Sequence, residues 1–295
     1  MWEKIVAFFA SIMAFFMGLF GMMPGTVKEY KNVSYGSASI QKMDVYYPNS
    51  PDKIEGETGA FILIHGGAWS AGSKENYTSL AKGIAQEGYI AATINYRMFQ
   101  QGATYAEMLE DINLAIAKLK EKTESDGITV NKIAFYGDSA GGHLSLLYAY
   151  THLNGTDTAA PIPVAFTVGR VAPVDFFDPF YKDNLNDETL SLLSHLVGTP
   201  ITAANIEANR ELIAMAEPLS VVTAAAPPTI LCYGGRDTIV PVSNGLSMKA
   251  KLEELNVPHE WFYYENSGHG LDSGADSALN EQFLNTLREY AALYF

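Results

Sequence analysis

The chain has 295 residues, 48% of them hydrophobic and 18% charged, which supplies a sizeable core and excludes global disorder. A formal net charge of −14 argues against nucleic acid and against polyanionic substrates, whose phosphates need lysine and arginine to replace their counterions. A single cysteine, Cys232, excludes an intrachain disulfide, and no CxxC pair, P-loop or GxGxxG after a strand points to zinc or a nucleotide, so no metal and no organic cofactor is expected.

The first 25 residues read as a hydrophobic leader. Residues 5–23 carry no charge, and nineteen residues in a helix span about 28 Å, close to the roughly 30 Å hydrocarbon core of a bilayer. The run ends in "GLFGMMPG", a poor match to the small-residue site that signal peptidase cuts. An uncleaved membrane anchor, an export signal and a helix packed on the protein itself are the three readings. They place the protein at the membrane, outside the cell, or without a targeting element.

From residue 26 the pattern becomes that of one domain, residues 26–295, in which short apolar runs alternate with helical stretches. "MDVYYP" alternates like a strand at an antiparallel edge; "AFILIHGG", "YIAATINYR", "KIAFYG", "VAFTVGRVAP", "PTILCYGG" and "HEWFYY" read as further strands. Residues 75–87, 105–122, 140–152, 243–255 and 275–294 read as helices. Continuous apolar strands alternating with helices predict an α/β protein with a mostly parallel sheet covered on both faces. Residues 175–225 break the rhythm with two or three short helices between the sixth and seventh strands. Such an insertion either forms a small lid over the carboxyl edge of the sheet or packs against it.

Three stretches carry chemistry. "HGGAW", residues 65–69, follows a strand; Gly66 and Gly67 can take positive φ and turn their N–H groups toward a developing oxyanion. "GDSAGG" fits G-x-S-x-G between a strand and a helix, the context in which Ser139 sits on a strained corner. The N–H of Ala140 then supplies the second oxyanion donor. "YGGRDTIVP" and "NSGHG" follow later strands and offer Asp237 and His269, completing the chain order Ser, Asp, His of a nucleophile, an orienting acid and a base. Asp175 and Asp178 are rival acids, and Asp272 is too close in sequence to His269 to serve. His65 and His143 flank the site as hydrogen-bonding supports, whereas His152, His195 and His259 read as surface or packing residues. Cys232 reads as a small buried hydrophobe.

With "HGGAW", "NYR", "GDSAGGH", "GGRDTIVP" and "SGHG" in this order, the chain resembles the α/β-hydrolase carboxylesterases. "GDSAGG" leans to the hormone-sensitive-lipase-like branch, and "HGGAW" to esterases related to kynurenine formamidase and feruloyl or acetylxylan esterases. The resemblance implies a serine hydrolase that cleaves carboxylic esters through an acyl-enzyme, with a small-molecule or polysaccharide ester as substrate. Trp69 and Phe176, with Phe177, Phe180 and Leu196, are candidate substrate-binding residues for an uncharged acyl group. An amidase, formamidase or peptidase could use the same triad, and a binding protein could keep the fold without the activity.

Overall fold

The computed structural model describes residues 27–48 and 57–295. The expected hydrophobic helix within residues 1–25, and with it the membrane contact, lies outside the described residues. Among the described residues no helix is long and apolar enough to cross a membrane.

Eight strands form one sheet: β1 (Lys28–Ser34), β2 (Lys42–Tyr47), β3 (Glu57–Ile64), β4 (Ile90–Ile94), β5 (Thr129–Asp138), β6 (Val164–Arg170), β7 (Thr229–Gly234) and β8 (His259–Tyr264). Their spatial order is β1-β2-β4-β3-β5-β6-β7-β8. The β1–β2 and β2–β4 pairings are antiparallel and all the others parallel. The expectation that "MDVYYP" forms the antiparallel edge is corrected in one respect. β2 is antiparallel but interior, buried from Met43 to Tyr47, and the edge is β1, whose largely exposed "KEYKNVS" has no apolar run to betray a strand.

Side chains alternate across each parallel strand, so each strand feeds two cores. Ile62 and Ile64 of β3, Ile133 and Phe135 of β5, and Leu231 and Tyr233 of β7 face one core. It is closed by α2 (Tyr105–Ser125), α3 (Ala140–Thr151) and α8 (Val242–Glu254). Phe61 and Leu63, Ala134 and Tyr136, and Ile230 and Cys232 face the other, under α1 (Thr78–Gln86) and α9 (Ser277–Tyr294). A strand buried on both sides reads as an unbroken apolar run, which is why the parallel strands were legible. The helix expected over residues 75–87 begins instead as a 3-10 turn, Lys74–Tyr77, before α1.

Between β6 and β7 the insertion holds four short helices, one or two more than expected. They are α4 (Pro179–Asp183), α5 (Asp187–Val197), α6 (Arg210–Ala214) and α7 (Pro218–Val221). Local chemistry dictates the longest of them. The Asn186 side chain accepts from the N–H groups of Glu188 and Thr189, Asp187 and Glu188 lie at the positive end of the helix, and Gly198 closes it at φ +69°.

Candidate active site

Four loops meet where the parallel strands end, the edge at which open α/β sheets hold their ligands. β3 and β5 are neighbours with Ile64 opposite Gly137, so the 65–69 loop and the turn at Ser139 leave the sheet side by side. β7 and β8 pair from Thr229 opposite His259 to Gly234 opposite Tyr264, which brings the loops carrying Asp237 and His269 together.

Ser139 occupies the corner between β5 and α3 at φ +56° and ψ −123°, a conformation that L residues rarely adopt. Its N–H donates to the Arg170 carbonyl at 2.8 Å, and its own carbonyl accepts from His143 N–H at 2.9 Å. The flanking glycines answer to contact. A Cβ on Gly137 would lie 2.3 Å from the Gly141 carbonyl, and one on Gly141 only 1.9 Å from the Ile64 carbonyl oxygen. Asp138, beside Ser139, is buried. Its carboxylate pairs with the buried Arg170 guanidinium at 3.1 Å and accepts from the Tyr77 hydroxyl. Breaking a buried pair by removing one partner costs about 3–5 kcal/mol, so this network anchors the corner from behind.

The 65–69 loop departs from the expected geometry at Gly66, Ala68 and Trp69. Gly67 takes φ +116°, but Gly66 does not adopt positive φ; instead Ala68 and Trp69 do, at +49° and +55°. Gly66 is small for a different reason: a Cβ there would sit 2.7 Å from the Asp138 carbonyl oxygen. Gly67, Ala68 and Trp69 line the cleft together with Ser139 and Ala140. Ala140 opens α3, and the first N–H groups of a helix have no acceptor within it.

His269 lines the same cleft as Ser139, and its Nδ1 lies 2.6 Å from Asp237 Oδ2. Nδ1–H therefore donates to the carboxylate, which leaves Nε2 as the basic nitrogen of the neutral ring. The other oxygen of Asp237 accepts from the N–H groups of Ile239 and Val240 at 2.8 and 3.0 Å, which fixes the carboxylate. The rival acids are engaged in their own turns. Asp175 accepts from Phe177 N–H, and Asp178 caps α4 through Phe180 N–H.

The flanking histidines are buried and uncharged in their environment. Desolvation lowers both imidazoles to about 4. His65 stacks on Tyr96 and lies 2.8 Å from the Gly66 carbonyl through Nδ1; His143 joins Trp69 Nε1 at 3.2 Å to the Ala216 carbonyl at 2.7 Å. His152 stacks on Tyr148, His195 is exposed against Phe99, and His259 lies beside the Val257 carbonyl, all three away from Ser139's cleft. Cys232 is fully buried, and desolvation pushes its thiol up to about 12. Among the described residues no group of three His, Cys, Asp or Glu side chains is placed to hold a metal ion.

The cleft has an empty volume of about 930 Å³ including its open mouth. Of the expected apolar residues, Trp69, Phe176 and Leu196 line it. Phe177 and Phe180 do not: Phe177 lies under the Arg210 guanidinium at 3.8 Å, and Phe180 packs beside Tyr181. Thr189, Leu192, Leu193 and Leu196 line one wall, an i, i+3, i+4, i+7 stripe of α5. That spacing was in the sequence and marks the residues that reading motifs alone passes over. Tyr181, Ile239 and Val240 carried no comparable signal, and Arg170 only that of a charge closing an apolar strand.

Residues 43–252 match the model of the BD-FAE family. The esterase LipC of Mycobacterium tuberculosis is 28% identical over 250 residues, covering 82% of this chain and 60% of that protein. The isoprenylcysteine alpha-carbonyl methylesterase ICME of Arabidopsis thaliana is 25% identical over 248 residues, covering 81% and 56%. The chain thus spans little more than half the length of these curated relatives. Among solved structures, a truncated carbohydrate esterase from gut microbiota superposes with a TM-score of 0.72 at 20% identity, covering 92% of this chain and 99% of that one. Esterase B of Lactobacillus rhamnosis superposes with a TM-score of 0.74 at 17% identity, covering 98% and 96%. With seven-tenths of its length inside the family match and the sheet order described above, the chain belongs to the BD-FAE family and has the α/β-hydrolase fold.

Proposed function

We propose that the protein is a carboxylesterase that works through an acyl-enzyme on Ser139. The observation that carries this reading is the 2.6 Å contact of His269 with Asp237, on an imidazole that shares a cleft with a serine at a strained strand-to-helix corner. In this reading His269 Nε2 takes the Ser139 proton as the hydroxyl attacks the ester carbonyl, and returns it to the leaving alcohol. Asp237 holds the tautomer and stabilises the imidazolium. The N–H groups of Gly67 and Ala140 receive the oxyanion, while Gly66 serves by letting the loop lie against Asp138. Water then repeats the sequence on the acyl-enzyme.

The cleft favours an uncharged acyl group of short to medium length. No Asp, Glu, Lys, Arg, Asn or Gln is among the residues that line it, and the α5 stripe forms an apolar wall. A polysaccharide ester would place only its acyl group there and leave its sugars at the mouth. Turnover of p-nitrophenyl acetate, butyrate and octanoate, with labelling of Ser139 by a fluorophosphonate, tests the reading. Abolition of both in Ser139→Ala supports it. Unchanged ester turnover in that variant refutes it, faster cleavage of N-formyl amides than of esters makes the protein an amidase, and no turnover with no labelling makes it a binding protein.

A further inference from the structure

Gly67, Ala68 and Trp69 are three consecutive residues at positive φ, and for the two that bear a Cβ this backbone needs outside support. The support reaches Trp69 by two routes: its carbonyl accepts from Phe99 N–H at 3.0 Å, and its side chain makes the second tie. Indole Nε1–H donates to His143 Nδ1 at 3.2 Å, and the two rings meet edge-on with centroids 5.1 Å apart. An indole can only donate and a carbonyl can only accept, so His143 is the neutral Nε2–H tautomer, accepting from Trp69 and donating to Ala216 at 2.7 Å. The ring is fully buried, so no water competes for either bond.

Ala216 belongs to the insertion, and its neighbour Glu217 makes a parallel connection. The buried Glu217 carboxylate accepts from Phe176 N–H at 2.8 Å, and the Phe176 ring lies 6.2 Å from that of Trp69. Two adjacent residues of the insertion therefore hold Trp69 and Phe176, the first of them by way of His143.

We infer that His143 is a positioning residue for the oxyanion loop: it ties the indole of Trp69 to the Ala216 carbonyl and so keeps Gly67 N–H aimed at the developing oxyanion. The inference rests on the ester-hydrolysis reading above. Such N–H groups act mainly in the transition state, so losing the tie lowers kcat and leaves KM nearly alone.

The test is a double-mutant cycle on the full chain with p-nitrophenyl butyrate, with folding of every variant checked by circular dichroism. His143→Phe is expected to lower kcat about 10- to 100-fold with KM within about threefold, less than the loss of an oxyanion donor outright. Trp69→Phe, which removes the indole N–H, is expected to lower kcat as well, and the double variant to fall no further than about threefold below the weaker single one. His143→Gln, whose amide keeps a donor and an acceptor, is expected to return most of the lost rate. Losses that multiply in the double variant, or a His143→Phe enzyme with wild-type kcat, overturn the inference. If His143→Phe does not fold, full kcat in Trp69→Phe overturns it. A wild-type protein without ester turnover overturns the functional reading and this inference together, whereas an active wild type with unaffected variants overturns the tie alone.

Discussion

Replacing Gly141 with alanine would put the new Cβ 1.9 Å from the Ile64 carbonyl oxygen and 2.7 Å from that of His65. Even close C–H···O approaches in proteins stop at roughly 3.3 Å, so the start of α3 and the end of β3 must part by more than about 1 Å. Both contacting groups are main chain, and no change of rotamer relieves them. The parting carries Gly67 away from Ser139 and Ala140. A misplacement of about 1 Å can cost about 100-fold in rate, and overpacking of this kind destabilises by about 1–3 kcal/mol. Gly141→Ala is therefore expected to lower kcat on p-nitrophenyl butyrate by about 100-fold or more and to lower the urea midpoint. Gly102→Ala is the control: Gly102 sits at φ +71° with no other atom within 4 Å of a built Cβ. It should lose about 1–2 kcal/mol to backbone strain and keep its kcat. A Gly141→Ala protein with wild-type kcat and urea midpoint would refute the claim that the elbow and the oxyanion loop are locked together through that glycine.

Three more outcomes can be measured. Asp237→Asn should lower kcat by about 10³- to 10⁴-fold while the melting temperature moves little, because the amide can no longer fix the Nδ1–H tautomer; a loss below tenfold would return the acid role to another residue. Leu192→Trp should fill the α5 side of the cleft and shift selectivity from octanoate toward acetate, read as the ratio of kcat/KM values; an unchanged ratio would place the acyl group elsewhere. The buried His65 and His143 imidazoles lie near 4, against an ordinary value of 6.5 in the unfolded chain. Between those values the unfolded state binds more protons, so stability is full above about pH 6.5 and falls as pH drops toward 4. The urea midpoint should decline across that window, and less steeply in His143→Gln.

Much of the candidate site was legible because its demands are local. A nucleophile elbow needs a strand, a positive-φ residue, close backbone approach and a helix start, all within a few positions, and "KIAFYGDSAGGH" writes each as a residue type. The α5 wall was legible in principle through its helical spacing. β1 was not, since an edge strand with one covered neighbour needs no apolar run. The Arg170–Asp138–Tyr77 network was hidden as well, because its members come from β6, β5 and the turn before α1 and meet only behind the elbow.

The amino-acid order alone therefore determined a mostly parallel sheet with helices on both faces, the corner that presents Ser139, and a loop of glycines suited to face it. Those are short-range consequences of periodicity and steric size. The folded chain decided which carboxylate meets His269, which aromatic residues reach the cleft, and that His143 bridges Trp69 to the insertion. Each depends on bringing the ends of β3, β5, β7 and β8 to one edge, and strand order and register join residues whose separation along the chain carries no information about their distance in space.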